Sequence, residues 1–300
     1  MRYLMVLLIL LAVGIQGTLC QENSFWLRNL SEGLGAAKLD LEDFSPELEL
    51  SDQGVHVMWM TQKAGSRSIS YRNSSDDGLN WSPVIELGDS DFDQEKRYKR
   101  MEVSGNYVHL IVNRPQELWY YRSSNGGMNF EPVKVLFKAT VGYIYNLQIQ
   151  AVGDQVYISF SNYCWYCSDK NLLYLLRSTD NGGSFDNELL VTDKNDVVLN
   201  FTSLHTEREN VFLLYQEIVG PSTNYDYALH VLHSNDGGLN FQDDVISFPA
   251  MSGLHHSLQL QDFSGGFQPK IASDGNRVWI IYGAWDENNT QGIYVSRSFN

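Results

Sequence analysis

Ser74-Ser75-Asp76-Asp77-Gly78-Leu79-Asn80-Trp81 is one phrase of four. It returns as SSNGGMNF at Ser123 to Phe130, STDNGGSF at Ser178 to Phe185 and SNDGGLNF at Ser234 to Phe241. The shared pattern is Ser-x-Asp/Asn-x-Gly-x-x-aromatic. It is carried by Ser74, Asp76, Gly78 and Trp81, then Ser123, Asn125, Gly127 and Phe130. Ser178, Asp180, Gly182 and Phe185 repeat it, as do Ser234, Asp236, Gly238 and Phe241. The Ser-to-Ser steps are 49, 55 and 56 residues, and a fifth copy opens at Ser298-Phe299-Asn300. A period of this length marks an array or propeller of supersecondary units.

Working outward from the phrase, each repeat has one grammar. A moderately apolar strand runs into a tight turn, such as Ser104-Gly105-Asn106 or Gly153-Asp154-Gln155. A strongly apolar strand follows, such as Val108 to Val112 or Val156 to Phe160. After a variable loop, a third strand ends beside the Ser of the phrase, and a weaker fourth strand follows its aromatic. Four antiparallel strands per ~50 residues is the unit of a β-propeller blade. No stretch keeps a helical period. The fold expected is all-β, a propeller of four-stranded antiparallel blades with five visible and the last lacking its fourth strand.

The phrase itself reads as a corner. Its Gly takes positive φ without a Cβ clash, as a tight hairpin between strands three and four requires. The Ser and Asp or Asn oxygens accept hydrogen bonds from backbone N–H groups that no strand partner reaches. The closing aromatic is expected to fold back onto its sheet.

Composition agrees with one large repeat fold. The 300 residues are 43% hydrophobic and 13% aromatic, enough for an extensive core. A net charge of -15 argues against nucleic acid and anionic membrane surfaces, which need clustered Lys and Arg. Residues 1–20 read as an export signal: Arg2, an apolar run from Leu4 to Ile15, and small residues before Gln21. The run is short for a span, and no later stretch reaches the ~20 apolar residues a spanning helix needs. Lipid anchoring at Cys20 is the rival, disfavoured by the bulk of Leu19. The expectation is a secreted, extracellular chain, with residues 21–43 as a lead and 44–300 as the propeller. Either the segment Ser24 to Leu41 is expected to complete blade five, or the sequence is expected to be a fragment of a longer, six-bladed protein.

In an oxidising compartment Cys164 and Cys167 are expected to form a local disulfide, with free thiols and a redox role as the alternatives.

The phrase resembles the Asp box, or bacterial neuraminidase repeat, of sialidases and related propellers, across residues 44 to 300. The resemblance implies that the corners lie on the face opposite the ligand cleft, which is built from the loops after strand two and the links between blades. It does not imply a reaction. Sialidases resemble one another in an Arg-Ile-Pro motif, a three-arginine clamp on a carboxylate, an Asp acid/base and a Tyr–Glu pair. Here Arg28 stands in Trp26-Leu27-Arg28-Asn29, no Arg-Ile-Pro exists, and only Arg97 and Arg100 introduce an inner strand. The clamp is not legible, so no catalytic residue is assigned. Glu217 with Asp226 or Asp286 is the weak alternative for acid/base work.

The loops on the expected cleft face carry Arg114, Tyr163, Trp165, Tyr225 and Trp285 beside carboxylates and amides. Sugar rings stack on aromatic faces while their hydroxyls hydrogen-bond, so these are the candidate ligand-binding residues. The bland reading is that such rings cap strand ends. Asp89-Ser90-Asp91-Phe92-Asp93 lacks the Gly and Glu of a calcium loop, and adjacent His255-His256 point to opposite strand faces. No metal or cofactor is assigned. The function expected is non-catalytic recognition of a glycan or an extracellular protein, with a divergent sialidase-like glycoside hydrolase as the alternative.

Overall fold

A computed structural model describes residues 30, 41–63, 66–88, 99–114, 116–163, 171–194, 198–219, 226–247, 269–274, 277–285 and 291–298. Among them there is no helix, and hence none long and apolar enough to cross a membrane. The strands fall into five antiparallel sheets, each ordered as the chain runs. Blade 1 holds β1 (Leu41–Ser51), β2 (Gly54–Lys63), β3 (Ser66–Ser74) and β4 (Ile85–Leu87). Blade 2 holds β5 (Lys99–Ser104), β6 (Tyr107–Asn113), β7 (Glu117–Ser123) and β8 (Lys134–Lys138). Blade 3 holds β9 (Tyr143–Val152), β10 (Gln155–Tyr163), β11 (Asn171–Ser178) and β12 (Leu189–Lys194). Blade 4 holds β13 (Val198–Glu207), β14 (Asn210–Val219), β15 (Asp226–Ser234) and β16 (Gln242–Ser247). Blade 5 shows three strands, β17 (Lys270–Ser273), β18 (Val278–Trp285) and β19 (Gln291–Arg297). The chain is a β-propeller. Its first strand begins at Leu41, inside the stretch read from sequence as the lead.

The core is divided into slabs between neighbouring blades. Met58, Ile69 and Tyr71 of blade 1 pack with Met101, Leu110 and Val112 of blade 2. Ile111, Leu118 and Tyr120 face Ile149, Ile158 and Phe160 of blade 3. Tyr157 and Leu175 meet Leu213 and Tyr215 of blade 4, and Phe212 and Leu214 meet Ile271 and Ile280 of blade 5. The second strands β6, β10 and β14 each serve two slabs, which is why they read as unbroken apolar runs rather than alternations.

The corners repeat their hydrogen bonds from blade to blade. Ser74, Ser123, Ser178 and Ser234 accept at Oγ from the N–H of Gly78, Gly127, Gly182 and Gly238 at 2.8–2.9 Å. Each hydroxyl donates to Oδ1 of the following Asp or Asn at 2.7–2.9 Å. The same Oδ1 accepts the backbone N–H two residues past that Gly: Asn80 at 2.7 Å, Asn129 at 3.2 Å, Ser184 at 2.8 Å and Asn240 at 3.0 Å. These bonds hold the Asp180 carboxyl down at about 2, led by the Ser184 backbone N–H, and lower Asp76 and Asp236 likewise.

The aromatic does more than cover its own sheet. Phe130 of blade 2 packs edge-on against Tyr71 of blade 1 at 5.0 Å, and Phe185 of blade 3 against Tyr120 of blade 2 at 5.1 Å. The reason is that a single sheet leaves its corner ring half bare, whereas the inter-blade slab encloses it. The tyrosines are held from behind, Tyr71 by His56 Nδ1 at 2.6 Å and Tyr120 by His109 Nδ1 at 2.7 Å. Asn73 donates its side-chain amide to the Gly126 carbonyl across the same slab at 2.7 Å.

Candidate functional site

Strand order alone separates the two ends of the ring. Turns one-to-two and three-to-four share one end, and the Gly126, Asn181 and Gly237 N–H groups accordingly donate to Asn106, Asp154 and Glu209 of the inner turns at 2.7–2.8 Å. The loops after second strands and the links between blades lie at the opposite end, where the chain does not repeat.

The described part of that end centres on blades 2 and 3. The loop from β6 to β7 is a closed hairpin, with Arg114 N–H to the Glu117 carbonyl at 2.7 Å and Glu117 N–H back to Arg114 at 3.3 Å. Arg114 lays its guanidinium 3.6 Å from the Trp119 ring centre. Trp119 Nε1 donates to Glu117 Oε2 at 2.9 Å, and Lys138 Nζ donates to Glu117 Oε1 at 2.8 Å. Lys138 first and Trp119 second hold the Glu117 carboxyl below its ordinary range. Ala139 N–H closes the group by donating to Gln116 at 2.7 Å.

The link leaving this cluster enters β9 with an exposed Tyr143, 6.4 Å from Tyr145. Next comes Asn146 at φ 53°, left-handed for a residue with a side chain. A bulge there shifts the β9–β10 register between Ser159 and Ser161. Asn146 donates Nδ2 to Ser161 Oγ at 3.0 Å, and its carbonyl accepts Thr202 Oγ1 of blade 4 at 2.8 Å. Blades 1 and 4 carry bulges at the same height, between Phe44 and Glu47 and between Asn200 and Thr202. Bulges re-aim side chains at rims and sites. Three of the five inner strands therefore bend where they reach this end.

Nearer the axis, Glu47 of blade 1 binds three groups of blade 2. Its carboxylate accepts Arg100 Nη1 at 3.1 Å and Met101 N–H at 2.9 Å, and the buried Lys99 ammonium lies 3.8 Å away. Burial depresses Lys99, with Glu47 opposing. Arg100 is thus half of an inter-blade ion pair. A three-arginine clamp is not assembled among the described residues. No group of three His, Cys, Asp or Glu there is placed to hold a metal ion. Asp89–Asp93 and His255–His256 lie outside the described residues.

Of the ligand-face residues read from sequence, Arg114 is in the cluster above. Tyr163 ends β10 opposite Tyr143 and Asn171, and Trp285 ends β18 opposite Gln291. Glu217 pairs with Leu199 and Ala228, while Asp226 pairs with Val219, so the two carboxylate residues are diagonal neighbours on β14 and β15. Trp165, Tyr225, Asp286, Cys164 and Cys167 lie outside the described residues. Trp119, Tyr143 and Asn146 were not singled out from sequence. The pattern Tyr143-Ile144-Tyr145-Asn146, aromatic and amide just past an inter-blade link, was the available signal.

No family model matches this chain, and no curated protein matches it. Solved structures do. An α-L-arabinanase from Penicillium chrysogenum, complexed with arabinobiose, is 10% identical over 85% of this chain and 93% of its own, with a TM-score of 0.51. An α-L-arabinofuranosidase from Fusarium graminearum is 12% identical over 86% and 93%, with a TM-score of 0.48. At this identity the first likeness is one of fold, and it is the β-propeller that is shared.

Proposed function

We propose that this chain is a secreted sialidase-like propeller that recognises a glycan on the end of its ring opposite the Ser-Asp corners, without turning it over. The observation that carries this reading is the rim at blades 2 and 3. The exposed Tyr143 stands between a rigid Arg114–Trp119–Glu117–Lys138 cluster and the bulged Asn146–Ser161–Thr202 seam. An open aromatic face beside fixed amide, hydroxyl and charged groups is the chemistry that sugars select. Export through residues 1–20, a lead over 21–43 and a propeller over 44–300 belong to the same reading, as does a Cys164–Cys167 disulfide.

Binding to an immobilised glycan panel that includes sialosides and arabino-oligosaccharides tests it. The Tyr143→Ala and Arg114→Ala variants should lose most of the signal, while Trp165→Ala and Trp285→Ala report whether those loops take part. Undiminished binding by Tyr143→Ala removes this rim from the site.

A second reading, a glycoside hydrolase, draws on one observation. Register makes Glu217 and Asp226 diagonal cross-strand neighbours on β14 and β15, and glycosidases work with a pair of carboxyl groups. Release of a fluorophore from sialosides or arabinosides, abolished by Glu217→Gln, would replace recognition with hydrolysis.

A further inference from the structure

Second strands count alike from blade to blade. The position seven residues beyond the one that faces the end of the first strand holds Thr61 in blade 1, Arg114 in blade 2, Asn162 in blade 3 and Glu217 in blade 4. Arg114 and Glu217 stand out in the sequence as ligand and carboxylate candidates; Asn162, between them in the ring, does not. Its pairing with Ile144 and Leu172 places it two residues past Phe160, on the sheet face that packs against blade 2. Asn113 of blade 2 fixes this neighbourhood by donating Nδ2 to the Ile144 carbonyl at 2.7 Å. Beneath Asn162, the Phe160 ring lies 4.8 Å from Phe137 of blade 2 and 5.3 Å from Tyr174, and those two rings are 4.9 Å apart. Three rings make an apolar floor under one carboxamide.

That carboxamide is left unsatisfied. Asn162 is 8% exposed, and its Oδ1 has no donor within hydrogen-bonding reach among the described residues. At the same count, Thr61 Oγ1 meets Ser70 Oγ at 2.8 Å and Arg114 rests on Trp119. An amide oxygen withdrawn from water without a donor carries a desolvation cost that nothing in the protein offsets. Such a group in a native fold needs a cause, and its place supplies one. Asn162 lies one residue from the end of β10, on the end of the ring away from the corners. The exposed Tyr143 adjoins Ile144, the partner of Asn162, so phenol and amide flank the same strand end. We propose that Asn162 is a ligand-contact residue of this rim and that it selects a neutral sugar presenting two adjacent hydroxyls. This rests on the glycan-recognition reading of the rim and narrows it. One hydroxyl donates to Oδ1 while its neighbour accepts from Nδ2, so a vicinal diol fills both halves of the amide at once. The χ2 torsion of Asn is broad, and rotation about it turns Oδ1 toward the rim. The aromatic floor keeps water from competing, which strengthens both bonds. A carboxylate brings only acceptors, so an acidic sugar seated this way would set a negative oxygen against Oδ1.

The test uses the full chain and an immobilised panel of arabino- and galacto-oligosaccharides, sialosides and oligouronates. Each neutral sugar is presented intact and after periodate cleavage of its vicinal diols followed by borohydride reduction. The parent protein should hold intact neutral sugars at least about tenfold more tightly than cleaved ones. Asn162→Ala should bind intact and cleaved sugars alike, at the weaker level. Its urea midpoint should stay at or above the parent value, because no bond within the protein is lost. The side-chain amide pair of Asn162, identified as the nitrogen–proton signal missing from Asn162→Ala, should shift as arabino-oligosaccharide is added. Intact and cleaved sugars are compared on the parent protein, so that arm decides whether or not Asn162→Ala folds. Binding that falls in Tyr143→Ala yet is unchanged in Asn162→Ala overturns this assignment and leaves the rim standing. Preference for sialosides or uronates over neutral sugars overturns it too, as does an amide signal that sugar does not move. Failure of the parent protein to bind any member of the panel overturns the glycan reading, and the role of Asn162 with it.

Discussion

The hydroxyl of Tyr71 in blade 1 occupies the space that a Cβ on Gly127 in blade 2 would need, and Tyr120 stands in the same relation to Gly182 in blade 3. The glycine four residues after the corner Ser is therefore a socket for the preceding blade's phenol as well as a bend. Both glycines also hold positive φ, 82° and 74°.

Gly127→Ala and Gly182→Ala should each destabilise the fold by about 2–4 kcal/mol, combining backbone strain with displacement of a buried ring. Gly126 is the internal control. It has φ 68° and open space around its Cβ direction, so Gly126→Ala should cost only the left-handed penalty of about 1–2 kcal/mol. Urea melts compare the three, and equal losses at Gly126 and Gly127 would remove the socket.

Ser123→Ala should leave the buried Gly127 N–H without its acceptor and cost about 1–3 kcal/mol. Asp180→Asn should be far milder than Asp180→Ala at pH 7, because Asn125 already fills that position in blade 2 with the same acceptor geometry. The Asp180 carboxyl is lowered to about 2. Its contribution is therefore present above the unfolded value near 3.8 and is lost as pH falls toward 2. Acid titration of Asp180→Asn should lack that last loss.

Two interior groups set the wider pH profile in opposite senses. Burial, aided by the Arg122 charge, pushes His109 down to about 3. Its stability contribution is complete above about 6.5 and falls as pH drops from there toward 3. Burial and the neighbouring Glu49 raise Glu102 to about 8. Its contribution is complete below about 4.5 and falls as pH rises toward 8. Between about 4.5 and 6.5 the two slopes, each up to about 1.4 kcal/mol per pH unit, cancel. Stability should show a plateau there and decline on both sides. Glu102→Gln should flatten the alkaline limb and His109→Gln the acid limb, as read by denaturation midpoints across pH; limbs unchanged by either variant would assign them elsewhere.

At the rim, Glu117→Gln removes the charge that Lys138 meets while keeping the shape that accepts Trp119 Nε1. Global stability should change by less than about 0.5 kcal/mol, since Lys138 is exposed. Glycan binding should weaken several-fold, because the Arg114 loop loses its brace. Equal binding by Glu117→Gln and the parent protein would place the ligand away from this loop.

How much of this could be read from the chain alone follows from where each feature stores its cause. Ser74, Gly78 and Trp81 act within eight residues, so the corner and the propeller were legible in the repeat. The socket was not. Which ring reaches a neighbouring corner depends on register: Tyr71 and Tyr120 do so from third strands. In blade 3 the residue facing Gly237 and Gly238 is Tyr157, from the second strand, with Leu175 beside it. The bulge at Asn146 was hidden for a similar reason, since nothing in Asn146-Leu147-Gln148 departs from ordinary strand composition until β10 fixes the pairing. Arg114 was legible because it sits in a loop. The same loop composition could not say that Trp119, inside β7, supplies the surface on which Arg114 rests.

The phenol-and-socket join also has a direction in time. Tyr71 precedes Gly127 by 56 residues and Tyr120 precedes Gly182 by 62. At about 5–20 residues per second of synthesis, each ring emerges roughly 3–12 s before the corner that receives it. A blade leaving the ribosome therefore cannot finish its own interior. It waits, one face uncovered, for the next corner to arrive, so the propeller is completed from behind, each new blade closing the one made before it.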